Sequence, residues 1–584
     1  MRLSRTHTLP EDPAVLRRLG RAMRATDGQN DDWLQPSVTG IRSDPAAEFD
    51  DEWRRHARQV RRLHEKLFYR PLLDAVARLP SEAARLTPAE ARARLEALGY
   101  LDPAGALRHI DALTSGVSRR AAIQRTLLPV LLGWFADAAE PDAGLLAFRQ
   151  VSEELGSSPW YLRLLRDETK AAERMARVLA SSRYAAGMLL RAPEAVAIFG
   201  NDAELSARSL PGLRAEMMAA TQRYEDDAEA AVTAVRSVRR RELLRTAAAD
   251  VLSVASPAEE SLAATEEALT SITRASIEAA LSVALRKVAA GQRQRSLPTR
   301  FAVIAMGRFG GHECGYGSDA DVLFVHDPLP GRPEKEASDA AHAVAAELRR
   351  LLMLPVPDPA LIVDADLRPE GRQGPLVRTL AAYRAYYRRW SAPWEAQALL
   401  RAEPAAGDEE LGERFIRMIA EFRYPLDGIS VAAVREIRRV KARVEAERIP
   451  RGVDRARHLK LGPGGLSDVE WTVQLLQLGH AHALPRLRTT RTGEAMAAAV
   501  HAGLLAEEDA AALTAAWQLA ARIRNAIVLV GGRPGDTLPS RHGELTAVAR
   551  LLGYPPGDAA QALEEDYRRA ARRARAVMEP LFYG

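Results

Sequence analysis

The chain has 584 residues, 47% hydrophobic and 27% charged, with a net charge of +5 and one cysteine. This is the composition of an ordinary globular protein, long enough for several domains at ~150 residues each. It excludes intrachain disulfides and cysteine-rich zinc sites, and the charge is too small for this length to mark a nucleic-acid binder.

The first residues, Met1-Arg-Leu-Ser-Arg-Thr-His7, lack the apolar core of a signal peptide. The longest apolar stretch, around Leu127 to Phe135, is too short to cross a bilayer, so a cytoplasmic protein without a membrane partner is expected. Helical spacing of Leu16, Leu19 and Met23, and then of Trp53, Val60, Leu63, Leu67 and Phe68, predicts helices between Asp12 and about Arg78. Residues 88–290 read as a long helical region, capped at Thr87-Pro-Ala-Glu90 and Ser256-Pro-Ala-Glu259. Within it, Pro141-Asp-Ala-Gly144 and Pro211-Gly212 read as turns, and Arg223 to Arg245 as a charged, solvated helix.

Strands begin only at residue 301. Phe301 to Met306 is a wholly apolar run, predicting a buried strand. Five glycines follow within eleven residues, Gly307, Gly310, Gly311, Gly315 and Gly317, before Ser318-Asp-Ala-Asp321 and a second apolar strand, Val322 to Val325. Ala337 to Leu354 has the spacing of an amphipathic helix. Leu361 to Leu367 reads as a further strand with Asp364 and Asp366 on one face, running into the basic, glycine-containing turn Arg368 to Pro375. From Leu380 onward the chain is predicted helical, with breaks at Gly462-Pro-Gly-Gly465, Gly531-Gly532 and Pro555-Pro-Gly557.

In an extended segment alternate side chains share a face, so Asp319 and Asp321 point the same way. Adjacent carboxylates repel, and a divalent cation relieves the repulsion; a glycine loop beside them lets backbone amides approach phosphate oxygens. Strand, glycine loop, Ser-Asp-x-Asp and strand is the layout of a metal-dependent nucleotidyl-transfer site. Asp319 and Asp321 would bridge two magnesium ions and the triphosphate of a nucleotide, with Asp364 or Asp366 as the third carboxylate. Gly310, Gly311 and Ser318 are candidates for the terminal phosphates, Arg368 and Arg372 for the remaining anionic charge. Lys460 could add charge at the helix N-terminus after Gly464-Gly465. The loop is neither a Walker A nor a dinucleotide-binding fingerprint. Tyr383, Tyr386, Tyr387 and Trp390 are expected to pack a helix, and Cys314 has no neighbouring base to make it a nucleophile.

Met306 to Val325 resembles the catalytic motif of glutamine synthetase adenylyltransferases, members of the DNA polymerase β nucleotidyltransferase superfamily. The resemblance continues through Val363 to Val377, Trp394 to Arg401 and Leu459 to Glu470, and upstream through Arg5 to Pro10, Leu63 to Leu73 and Ser152 to Asp167. It implies a mainly α protein with one embedded polymerase β-like α/β domain flanked by helical bundles. It further implies transfer of AMP from ATP to a tyrosine of glutamine synthetase, with glutamine and a PII-type signal protein as effectors. Many family members have arginine where this chain has Asp366, which aligns Asp364 with the usual third carboxylate. Family members carry two catalytic domains, and this sequence contains the Ser-Asp-x-Asp pattern once, so the expectation is the adenylylating half without the adenylyl-removing centre. Four regions follow: 1–110, resembling the helical tail of the missing half; a regulatory-like helical region, 111–290; the catalytic domain, 291–430; and a helical bundle, 431–584. A nucleotidyltransferase acting on RNA ends would need a basic groove with stacking aromatics, against which +5 and 5% aromatic content argue. A non-catalytic relic is the other alternative, and the intact acids weigh against it.

Overall fold

A computed structural model describes residues 88–252, 258–292 and 296–584, together with Ala14, Val15, Arg17 and Arg18. Apart from those four residues, the helices expected between Asp12 and Arg78, and the capping residues Thr87 and Ser256, lie outside the described residues. The chain forms two compact units: residues 1–89 with Arg125–Val130, and Glu90–Gln124 with Leu131–Gly584. The second unit carries the sheet and is mainly helical around it.

The turns expected at Pro141 and Pro211 are helix starts. Helix α1 (Pro141–Leu155) and helix α2 (Leu210–Gln222) place these prolines in their first turn, where an N–H has no intrahelical partner to lose. The charged segment after residue 223 is not a solvated helix either. In α3 (Ala228–Leu252), Arg236, Arg239, Glu242 and Arg245 are all buried. Arg236 donates to the carbonyls of Leu354 (2.6 Å) and Asp358, and Arg239 to that of Pro359 (3.1 Å). Arginine's long stem packs in the interior while its fork of donors satisfies main-chain oxygens. Those oxygens belong to the loop leading into the strand that carries Asp364.

Helix α4 (Ala258–Gly291) packs against α2, α3 and β5. Its part from Leu262 to Gly291 is long and apolar enough to cross a membrane, but 78% of its most apolar window is buried inside the protein, which suits a core helix. Sequence inspection passed it over because alanine, not leucine, supplies its apolarity.

The mixed sheet comprises β1 (Thr299–Ala305), β2 (Ala320–Pro328), β3 (Val363–Asp364), β4 (Val377–Thr379) and β5 (Glu403–Gly407). Its order is β3-β2-β1-β5, with β4 also pairing with β2. β1 and β2 are antiparallel from Thr299 opposite Pro328 to Ala305 opposite Val322, while β3 and β4 run parallel to β2. Both faces are covered, which explains why β1 and β2 read as continuous apolar runs. Helix α5 (Glu334–Leu352) packs on one face of β1 and β2. On the other, Ala302, Ile304, Leu323 and Val325 meet α6 (Leu380–Trp390), α7 (Pro393–Leu399) and α8 (Glu409–Arg423). Tyr383 and Tyr387 are buried there against Phe415 and Phe422, whereas Trp390 is exposed.

Beyond the sheet, α9 (Val431–Glu447) leads to α10 (Leu466–His480), α11 (Glu507–Gly531) and α12 (Ala559–Met578). α10, α11 and α12 share a core of Leu466, Val469, Leu513, Trp517, Leu563 and Tyr567.

Candidate active site

The strand expected over Leu361–Leu367 is shorter than its alternation predicts. Only Val363–Asp364 pairs with β2; the Asp364 carboxylate then accepts the Asp366 amide at 2.7 Å, and the chain turns. Asp364 and Asp366 therefore do not share a face. An aspartate capping the amide two residues on is a turn-forming contact, and it competes with the extended conformation. Asp366 faces away to Arg372 (2.6 Å) and Arg368 (3.5 Å).

The parallel register places Asp321 directly opposite Asp364, and Ala320 opposite Val363. Asp319, two residues before Asp321, lies at the exposed rim. Burial, then the charge of Asp364, raises the Asp321 carboxyl to about 7 against the opposing pull of Lys460. The same three influences act on Asp319, with a net upward shift. Asp319, Asp321, Asp364 and Lys460 are thus brought within electrostatic reach of one another, while Asp366 is ion-paired outside the group. Lys460 is exposed and makes no ion pair among the described residues.

The glycine loop is built differently from its expected role. Gly307 has φ +52°, and a Cβ on it would lie 2.3 Å from the Asp321 carboxylate. It is Gly307, named among the five loop glycines but given no role, that lets the main chain pass against the acids; its position directly after the apolar run Phe301–Met306 was the available signal. The amides of Gly310 and Gly311 close a helical turn onto the carbonyls of Met306 (2.8 Å) and Gly307 (3.1 Å). Ser318 Oγ accepts the Gly315 amide at 2.9 Å. The buried Arg368 donates to the carbonyls of Ala365 (2.8 Å), Gly374 (3.1 Å) and Arg372 (3.2 Å), which pins the turn after β3. Arg372, paired with Asp366, lies at the surface with its side chain 82% exposed. At the second glycine break the Gly464 amide donates to Asp468 (2.8 Å) and that of Gly465 to the Gly462 carbonyl (2.9 Å), so both are engaged within the loop. Burial pushes the Cys314 thiol up to about 12.

Beneath the loop lies an ionic network that sequence reading did not isolate, although Arg401 and Glu470 fall in stretches that carried the resemblance. Arg401 is buried and pairs with Glu313 (2.6 Å) and Thr492; the Thr492 amide donates to Glu313 (2.7 Å). Arg308 donates to the Glu313 carbonyl (2.7 Å) and pairs with Glu266 of α4 (3.1 Å). Burial raises Glu266 to about 8.

His312, at φ +57°, bridges Glu267 of α4 (3.2 Å) and Glu403 of β5 (2.7 Å); Arg491 and Arg274 face the same two carboxylates. Bonds to Glu267 and Glu403 raise the imidazole to about 9 in spite of burial. A raised base contributes stability that is whole below its unfolded value of ~6.5 and is lost as pH rises through the folded one. Thermal unfolding followed by circular dichroism should therefore show a stability loss on the order of 1–3 kcal/mol between pH 6.5 and 9.5 that His312→Asn removes. Parallel pH profiles for the two proteins would refute the assignment. Asparagine is chosen because it tolerates left-handed backbone.

A helical protein with a small mixed sheet, acids grouped where two parallel strands meet and one lysine facing them, is the class that fold and site define. A family model described as glutamate-ammonia ligase adenylyltransferase matches residues 172–418, and one described as GlnD PII-uridylyltransferase matches residues 438–582. The whole chain is 59% identical to a bifunctional glutamine synthetase adenylyltransferase/adenylyl-removing enzyme of Streptomyces avermitilis, 59% to that of Streptomyces coelicolor and 49% to that of Nocardia farcinica. It spans 57%, 57% and 56% of those relatives' lengths. The chain is thus similar over its whole length to enzymes named as glutamine synthetase adenylyltransferases.

Proposed function

We propose that this chain is a cytoplasmic nucleotidyltransferase of polymerase β-like fold that moves AMP from ATP to a tyrosine hydroxyl of glutamine synthetase, releasing pyrophosphate and lowering that enzyme's activity. The observation that carries the reading is the register that sets Asp321 beside Asp364, with Asp319 at the rim and Lys460 facing them. The donors are hard oxygens, which fit magnesium. Among the described residues no three acidic, histidine or cysteine side chains converge into a ready-made cage. Magnesium coordinates carboxylates together with water and substrate phosphates. Asp319, Asp321 and Asp364 would hold magnesium, which when bound neutralises the triphosphate and polarises the acceptor oxygen.

The protein's own groups do the rest. Gly307 brings main chain against Asp321; Gly310, Gly311 and Ser318 shape the loop; Lys460 and the exposed Arg372 meet polyphosphate charge. Arg368 holds the turn that fixes Asp364. The helical region before the site, with the C-terminal bundle, would receive glutamine and a PII-type signal protein; the match of that bundle to a PII-uridylyltransferase model supports this.

Incubating the chain with α-labelled ATP, magnesium and purified glutamine synthetase tests the reading, and label on the synthetase is the expected result. In the same assay Asp364→Asn should lose about a hundredfold or more, whereas Asp366→Asn, outside the acid group, should stay within a few fold. Equal losses in the two variants would refute the assignment of Asp364, and an unlabelled synthetase would refute the function.

A further inference from the structure

The residues from 431 to 460 contain ten lysines and arginines against four acids, an excess of six positive charges. The whole chain has a net charge of +5, so this one segment carries more than all of it. Helix α9 opens the segment. Its inner face is fixed by Ile437 and Lys441, both buried, and its outer face presents Arg435, Arg439 and Arg443, all exposed. Four residues of helix advance ~6 Å, so the three guanidinium groups form a row along one side.

None of the three makes an ion pair among the described residues, and neither do the exposed Arg448 and Arg451 just beyond. Several arginines of other helices are paired within their own helix: Arg177 with Glu173, Arg417 with Glu413, Arg568 with Glu564 and Arg575 with Glu579, each four residues apart. Like charges at that spacing repel by a few tenths of a kcal/mol, so the row costs the isolated protein a little stability and returns nothing to it. Such a row is complementary to negative charge supplied from outside.

The row is also tied to the site. Lys441 grips Asp468, the neighbouring Ser467 amide donates to the Lys460 carbonyl (2.9 Å), and the Lys460 charge acts on Asp319 and Asp321. The segment contains no Phe, Tyr or Trp, so it offers no stacking platform for bases.

We propose that the Arg435, Arg439 and Arg443 row is a docking surface for an acidic face of the protein that carries the acceptor hydroxyl. This rests on the function proposed above. A surface of this kind speeds encounter and sets orientation, so its loss raises the acceptor KM and leaves the chemical step alone.

The test is the full-length chain with Arg435→Glu, Arg439→Glu and Arg443→Glu combined, assayed across glutamine synthetase concentrations at low and high salt. The acceptor KM should rise about tenfold or more with kcat within twofold, an unchanged KM for ATP and a weakened salt dependence. The all-alanine triple should fall between it and the unaltered chain. Unchanged circular dichroism and melting would establish that the exposed substitutions leave the fold intact. If the unaltered chain labels the synthetase and the charge-reversed one does so with the same acceptor KM, docking is overturned and the function stands. If the unaltered chain fails to label, the function falls, and docking is read from sedimentation of either chain with the synthetase; equal binding overturns it. Loss of affinity for a duplex oligonucleotide with no change in acceptor KM reassigns the row to nucleic acid and overturns it too.

Discussion

Asp321→Asn is expected to lower the AMP transfer proposed above by about a thousandfold or more while leaving the protein at least as stable as before. The two halves of this expectation have one cause. Asp321 sits half-buried, opposite Asp364 and two residues from Asp319, and that environment holds its carboxyl near 7 rather than in the ordinary aspartate range. A carboxylate raised by burial and like charge is disfavoured by the fold that contains it. Asparagine keeps the shape and removes the charge, so the folded state loses a liability. On the function proposed above, a nucleotide with its cation would lose the group that the liability serves. Label transfer onto glutamine synthetase gives the first half and urea unfolding the second. Activity within tenfold of normal, or a clear loss of stability, would mean that Asp321 is a structural residue.

Gly310→Ala should do the opposite, damaging the fold and activity together. The Gly310 Cα faces the backbone on two sides, and a Cβ there would stand 1.9 Å from the Arg401 carbonyl and 2.8 Å from that of Ala305. Neither atom is the end of a flexible side chain. The loop or β5 must shift, at a cost of about 3 kcal/mol, and the acids lose their alignment with it. Gly479→Ala is the control: it lies in α10 with nothing within 4 Å of a Cβ, and alanine should be neutral there or stabilise by ~0.5–1 kcal/mol. Urea unfolding of both variants decides the matter; similar stabilities would mean that the contact at Gly310 is easily relieved.

The sheet and its acids were easier to read than the helices around them, for physical reasons. β1 and β2 are buried on both faces, so their sequences are uninterrupted apolar runs that few other structures would produce. Asp321 lies within β2, whereas Asp319 stands just before its first residue, where strand alternation no longer applies. The error at Asp366 came from extending that alternation past the end of β3, where the Asp364 carboxylate captures an amide and turns the chain. The segment around Arg236 and Arg239 misled because burial of arginine depends on carbonyls about 120 residues away, at Leu354 and Pro359, which local composition does not register. The prolines at 141 and 211 misled because the same residue that ends a helix also begins one. Gly307 was given no role among five glycines, since its distinction lies in what it faces.

Arg401, on the stretch leading into β5, is satisfied by Glu313 from the glycine loop and Thr492 from the C-terminal half, and the Tyr316 amide of that loop reaches Asn525 of α11 (3.4 Å). Parting the sheet from the C-terminal half would leave buried Glu313 without the Thr492 amide and Arg401 without the Thr492 hydroxyl, polar groups that the interior cannot leave unmatched. The sheet and the bundle behind it therefore share buried polar contacts. A different bundle grafted behind this sheet would have to offer a hydroxyl, an amide and a carboxamide at the same three places.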